Sequence, residues 1–331
     1  MKALVYTARE SLAYRDEPDP AVPLGECMVR VEAVGICGSD MHAYLGHDER
    51  RPAPLILGHE AAGVVVEGPG TGRRVTVNPL ATCGQCRACK SGRNNLCPQR
   101  QILSMVPRQG AFAEYIAIPA DNLVEMPDNV SFEKACLAEP LACGWHAVRL
   151  GAQTLDLPLT EARCLVIGGG AIGLGAALAL SANGAGDITI SEANQRRVPA
   201  LKSAGNFTIA TPDDVMAEAV GGYDLVIDGV GFAATRATAS RAARPGGVIV
   251  HIGLGDASAG LDIRRLTLQE ITFIGAYTYT PEDFRETAEA IFDGRLGQLE
   301  WAEVRALEDG AEAFADILAG RAAAPKIILK P

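Results

Sequence analysis

Between Arg163 and Asp187 the chain runs 23 residues without a charge, CLVIGGGAIGLGAALALSANGAG. On length alone this is a candidate membrane span. The three glycines at 168 to 170 would break such a helix in its first turn, and SANGAGD stops it before the next apolar run. The segment reads instead as a strand, CLVIG, a turn and a helix, followed by a second strand, DITISE. Gly168, Gly170 and Gly173 fit G-x-G-x-x-G at that strand-to-helix junction, with Ile172 inside the turn. The first glycine permits the tight turn, the second lets backbone approach a pyrophosphate, and the third brings helix against strand. Glu192 closes the second strand 19 residues after Gly173, where a carboxylate binds the ribose hydroxyls of NAD and repels a 2′-phosphate. The motif alone is weak among 36 glycines, but strand, turn, helix, strand and acid together predict a dinucleotide site that favours NAD over NADP. Arg196 and Arg197 soften that preference, since an arginine here can accept the phosphate.

The alternation continues. QRRVPALKSAG and FAATRATASRAA read as helices, and YDLVIDGVG, GGVIVHIG and EITFIGAY as strands, which implies a doubly wound parallel sheet. The chain before residue 130 has a different texture, with short strands (KALVYT, ECMVRVEAV, AAGVVV) separated by frequent Gly and Pro. SFEKACLAEPLACGWHAVRL has helical spacing from Ser131, TPEDFRETAEAIFDG is a helix capped by Thr280, and KIILK is a final strand. The 331 residues suit two domains at about 150 each, and 48% apolar against 21% charged residues excludes intrinsic disorder. A net charge of −10 without basic runs argues against nucleic acid, and early charges at the N-terminus argue against an export signal, so the expected location is cytoplasmic.

Four of nine cysteines, Cys83, Cys86, Cys89 and Cys97, read C-x2-C-x2-C-x7-C. Four thiolates in a short loop close a tetrahedral shell around zinc and leave no open position, which makes the site structural. An iron-sulfur cluster is the rival, suggested by Cys97-Pro98, but the comparable run has three residues where this one has seven. Cys37, in Cys37-Gly38-Ser39-Asp40-Met41-His42, and His59, in Gly58-His59-Glu60, stand at strand ends, and spacing alone does not pair them.

CGSDMH, GHEAAG, the four-cysteine loop, GAFAEY, EPLACGWHA and GGGAIG together resemble the medium-chain zinc-dependent alcohol dehydrogenases, in this order and over essentially the whole chain. Glu139-Pro140-Leu141 makes the resemblance strongest to the polyol (sorbitol, idonate) and threonine dehydrogenase branch. The resemblance implies an α/β protein with a GroES-like β-rich catalytic domain at 1–140 and 276–331, and an inserted Rossmann NAD-binding domain at 141–275. It implies a second, catalytic zinc with Cys37 and His59 as ligands and Glu60 as a third ligand or a group directly behind it. Glu139 is a ligand or the holder of the zinc-bound water, and Asp40 orients the His59 ring. Ser39 and His42 relay the proton as an alkoxide held at the zinc gives hydride to the nicotinamide. Glu192 and Arg197 are placed at the adenosine ribose and Gly253-Leu254 at the nicotinamide end. The implied reaction is oxidation of a secondary alcohol, diol or polyol to the ketone by a homodimer or homotetramer, without membrane or nucleic-acid partners.

Three positions depart from the pattern. Ala43 replaces an aromatic residue after the relay histidine, Tyr277-Thr278-Tyr279 stands where an arginine is usual, and Arg73 replaces an aspartate in a shortened loop. The first two predict a roomier, less polar pocket, and the third a rebuilt loop. The alternatives are a zinc-free quinone-reductase-like NADP enzyme, against which Cys37, His59 and Glu60 argue, and a non-enzymatic NAD- or zinc-binding protein, which would not need Ser39 and His42.

Overall fold

The computed structural model describes residues 1–218 and 222–331. It contains two compact units, one built from Met1–Glu139, Thr280–Asp293 and Ala302–Pro331, the other from Pro140–Tyr279 and Gly294–Trp301.

In the first unit strands from residues 26–125 and from residues 302–330 enter one sheet. Its strands run Leu123–Glu125, Arg74–Val77, Glu60–Glu67, Glu26–Gly35, Lys326–Lys330 and Ala302–Ala306, with Tyr115–Pro119 also pairing Glu26–Gly35. The strand Lys326–Lys330 lies antiparallel to Glu26–Gly35, with Ile328 opposite Gly35 and Leu329 opposite Val34. A three-stranded sheet of Ser11–Asp16, Lys2–Ala8 and Leu55–Ile56 packs around this core, and Leu80–Ala81 pairs with Gln101–Ile102 in a small separate sheet. Alternating burial along Glu26–Gly35 sends Cys27, Val29 and Val31 inward, and the helix Gly310–Leu318 adds Phe314 to the same core. Tyr44 and Phe112 meet Phe314 edge to face at centroid distances of 5.2 and 5.9 Å. Such pairs contribute about 0.5–1.5 kcal/mol beyond the area they bury.

The second unit is a six-stranded parallel sheet in the order Thr208–Ala210, Asp187–Ser191, Arg163–Ile167, Tyr223–Asp228, Ala243–His251, Thr272–Gly275. This is the 3-2-1-4-5-6 order of a doubly wound fold, which places ligands beyond the carboxyl ends of the first and fourth strands. The uncharged stretch divides as expected, into the strand Arg163–Ile167 and the helix Ala171–Ala182. Among the described residues no helix is long and apolar enough to cross a membrane.

The segment from Ser131 is not one helix but two, Phe132–Ala135 and Ala138–Ala152. Pro140 explains the break. It lacks the N–H that a continuous helix would aim at the Cys136 carbonyl, so the second helix restarts two residues earlier and holds Pro140 in its first turn. Ser131 caps the first piece, its hydroxyl accepting from the Lys134 amide at 3.3 Å.

Candidate active site

The glycine turn follows directly from the strand register. The Gly168 amide donates to the Ser191 carbonyl of the neighbouring strand, and Gly170 caps the helix that Ala171 begins. A Cβ on Gly173 would overlap the Gly168 carbonyl oxygen, so a side chain is excluded where the helix crosses its own turn. Ile172, half-buried, occupies the helix's first turn. Glu192 is buried, and its carboxylate accepts the Gly169 amide at 2.8 Å and the Asn194 amide at 2.6 Å. Arg197 lies 3.6 Å from that carboxylate, and its guanidinium also borders the space above Gly170. Both side chains therefore stand at the turn. Leu254 is exposed on a loop that starts beyond Ala243–His251 and is held at several points. Asp228 accepts the Ile252 and Gly253 amides on its carbonyl, while Arg236 donates to Asp256, Ser258 and Ala259.

In the first unit, Cys83, Cys86, Cys89 and Cys97 bring their sulfurs within 4.8 Å of one another. Cys86 caps the short helix Arg87–Lys90, and Cys97 follows a single turn at Asn94–Leu96, so two local turns gather a contiguous loop. Hydrogen bonds from the Gln85 and Cys86 amides pull the Cys83 thiol down to about 6. Burial pushes Cys89 up to about 11. The four-sulfur donor set, with no carboxylate or imidazole in it, fits structural zinc.

A second group converges from separate strands. One donor atom each of Cys37, His59 and Glu60 lies within 4.8 Å of the others. Cys37 stands beyond Glu26–Gly35 as the cap of the helix Gly38–Tyr44, and Glu60 opens the partner strand opposite Gly35. Asp40 is fully buried and accepts the Cys37 amide at 3.0 Å and the Gly58 amide at 3.1 Å, so one carboxylate ties the two donor segments together. His59 Nδ1 lies 3.5 Å from Asp40 Oδ1 and 3.4 Å from the Ser104 hydroxyl. Burial opposes charge on both groups, but their attraction prevails: Asp40 is held below the ordinary carboxylate range and His59 well above that of imidazole. The Glu60 Oε2 atom is buried without a hydrogen-bond partner. A soft thiolate, an imidazole and a half-satisfied carboxylate make a donor set that suits zinc.

Ser39 and His42 sit three residues apart, on one face of Gly38–Tyr44. Glu139 is buried near the start of Ala138–Ala152 and lies outside the close three-residue group. Ala43 is buried in the core beside Tyr44, so the missing aromatic ring changes packing inside the unit.

Three further residues shape the site without a motif to mark them. Lys326 is buried and places Nζ 2.6 Å from Glu60 Oε1. Arg51 is buried and donates to the Ser104 carbonyl, the Asp48 carboxylate and the Ser39 carbonyl. Ser104 adopts a positive φ beneath His59. Nothing in the sequence singles out Lys326, since the run KIILK has a lysine at each end and either suits an exposed strand end.

Known proteins share this architecture. The alcohol dehydrogenase GroES-like domain matches residues 23–128, and the zinc-binding dehydrogenase domain matches residues 171–293. Sorbitol dehydrogenase of Bacillus subtilis is 34% identical over 313 residues, spanning 88% of this chain and 87% of that protein. An Escherichia coli oxidoreductase of unknown specificity superposes with a TM-score of 0.91 at 26% identity, over 99% of this chain and 98% of its own. A zinc-binding dehydrogenase structure from Sinorhizobium meliloti, bound to NADP, gives 0.88 at 28% identity, over 100% and 99%. The chain belongs to the zinc-dependent medium-chain alcohol dehydrogenases, on the polyol dehydrogenase branch. It is thus an oxidoreductase of CH–OH groups that uses zinc and a nicotinamide dinucleotide, and the zinc-free and non-enzymatic alternatives are set aside.

Proposed function

We propose that this enzyme oxidises a secondary alcohol, diol or polyol to the ketone with NAD, at a metal held by Cys37, His59 and Glu60. The observation that carries the reading is the convergence of a thiol, an imidazole and a carboxylate on one spot, each with a donor atom within 4.8 Å of the others. Zinc bound there supplies a Lewis acid that lowers the pKa of the substrate alcohol. Asp40 orients the His59 ring through Nδ1, and Ser39 accepts the substrate proton and passes it towards His42. Glu139 is a further ligand or holds the water that leaves when substrate binds.

The cofactor reading assigns Gly168, Gly170, Ile172 and Gly173 to the pyrophosphate, Glu192 and Arg197 to the adenosine ribose and Leu254 to the nicotinamide end. The catalytic domain is then 1–140 with 276–331, and the NAD-binding domain 141–275. Glu192 supports NAD over NADP, since its buried carboxylate stands beside the turn. A homodimer or homotetramer joined through the exposed edge strand Thr272–Gly275, and a cytoplasmic location, complete the reading.

The test is metal analysis combined with an alcohol and polyol panel run with NAD and NADP. The expected result is about two zinc per chain and NAD-linked turnover of a secondary alcohol, lost on chelation and in Cys37→Ser. Undiminished hydride transfer by Cys37→Ser across the panel ends the reading.

A further inference from the structure

Lys326 is a buried cation with no task in the chemistry above. An ammonium taken out of water costs several kcal/mol unless it is paired, and the register of the C-terminal strand decides its partner. With Ile328 opposite Gly35, the Lys326 side chain reaches inward. Its Nζ donates to Glu60 Oε1 at 2.6 Å and to the Ile36 carbonyl at 2.8 Å, and both members of the ion pair are buried.

The pair leaves Glu60 half used. Oε1 is on the lysine, while Oε2 is buried with no partner and lies over Gly35, where a Cβ would overlap it. A glycine at that position gives the second oxygen room. The same carboxylate contributes the third donor beside Cys37 and His59, and the lysine charge also acts on Cys37 and Glu139. One buried carboxylate therefore faces two cations, a fixed one of the chain and a divalent one that comes and goes.

We propose that Lys326 competes with the catalytic metal for Glu60: the lysine holds the carboxylate through Oε1 and shares its charge, and so loosens the metal while it stabilises the metal-free protein. The inference rests on the reading that Cys37, His59 and Glu60 hold the metal. Losing the cation then strengthens metal binding at this site, because Glu60 has only the metal to neutralise it.

The experiment uses the full chain, stripped of metal and reloaded with cobalt, as wild type, Lys326→Arg and Lys326→Met. Metal-free and loaded melting temperatures, cobalt release to a chelator and the visible cobalt spectrum are recorded. The four-cysteine site, which has no carboxylate, is the internal control. In Lys326→Met the metal-free protein should melt lower and the rise on cobalt loading should exceed that of wild type. Release from the Cys37–His59–Glu60 site should slow by about tenfold, and its visible absorption should differ from wild type as Glu60 binds the metal without a competing cation. Lys326→Arg, which keeps the charge, should follow wild type. Release as fast as wild type or faster in Lys326→Met, with an equal or smaller melting increment, overturns the proposal. Should Lys326→Met not fold, Lys326→Gln keeps a neutral donor on Oε1 and must shift the same readouts in the same direction. A wild-type chain that loads only one cobalt removes the site reading and this inference together, whereas two cobalts with indistinguishable variants removes this inference alone.

Discussion

The glycine turn proposed for the cofactor and the Cys37–His59–Glu60 group proposed for the metal would hold their ligands in opposite ways. The turn in the Rossmann unit is one contiguous piece of chain, and it presents backbone amides and the start of a helix. The metal group in the GroES-like unit is assembled from side chains far apart in sequence, Cys37 and Asp40 after one strand, His59 and Glu60 at the start of another, and Lys326 near the end of the chain. A backbone site depends on the absence of side chains, so inserting atoms breaks it. A side-chain site depends on the strand register, so it fails when neighbouring segments are pushed apart.

The largest effect should come from Gly173→Ala. The added Cβ meets the Gly168 carbonyl, a backbone atom that cannot swing aside, and overpacking of this kind costs about 3 kcal/mol. Thermal denaturation should show a marked loss of stability, and NADH fluorescence titration should show binding weakened more than about tenfold, with metal content unchanged. Normal NADH binding by this variant would mean that the turn is not where the cofactor sits. Next comes Gly35→Ala, the equivalent insertion at the metal group, where the Cβ overlaps Glu60 Oε2. Zinc content should fall from about two to about one per chain while NADH still binds. Retention of both metals would separate Glu60 from the site.

The same contrast governs how much of each site is legible in the amino-acid sequence. The turn is legible because motif, strand and acid lie close together along the chain, and the four-cysteine loop is legible for the same reason. Cys37 and His59 can be paired only through family resemblance, since their meeting is a consequence of the Gly35–Glu60 register. Lys326 gives no sign of its role. KIILK marks a strand whichever neighbour it takes, and only pairing with Glu26–Gly35 buries its first residue on Glu60. The break at Cys136–Leu137 is hidden because a proline tolerated in a first turn looks, in sequence, like one inside a longer helix.

Glu192→Ser is a smaller perturbation, since it removes a side chain that accepts an amide of the backbone turn. The Gly169 amide loses its charged acceptor, which should lower stability by about 1.5 kcal/mol. Arg197, no longer facing a carboxylate at 3.6 Å, becomes available to a 2′-phosphate. The ratio of kcat/KM for NADP to that for NAD should rise about tenfold, measured with whichever alcohol the panel identifies. An unchanged ratio would place the adenosine ribose elsewhere.

The smallest effect belongs to Arg73, which departs from the family pattern but touches neither site. Its guanidinium, more than a third exposed, donates to the Pro69 and Gly70 carbonyls at 3.2 and 3.3 Å and lies 3.8 Å from Glu125. The shortened loop is thus closed by a side chain folding back on its own backbone. Arg73→Asp restores the common residue yet removes those donors and sets a second negative charge beside Glu125. Exposed interactions of this kind contribute under about 1 kcal/mol, so the melting temperature should fall by no more than about 3 °C, with metal content and turnover at wild-type values. A large loss of activity would show that this loop communicates with the metal group. The register on which that group depends would then extend past Glu60–Glu67 into the loop that follows it.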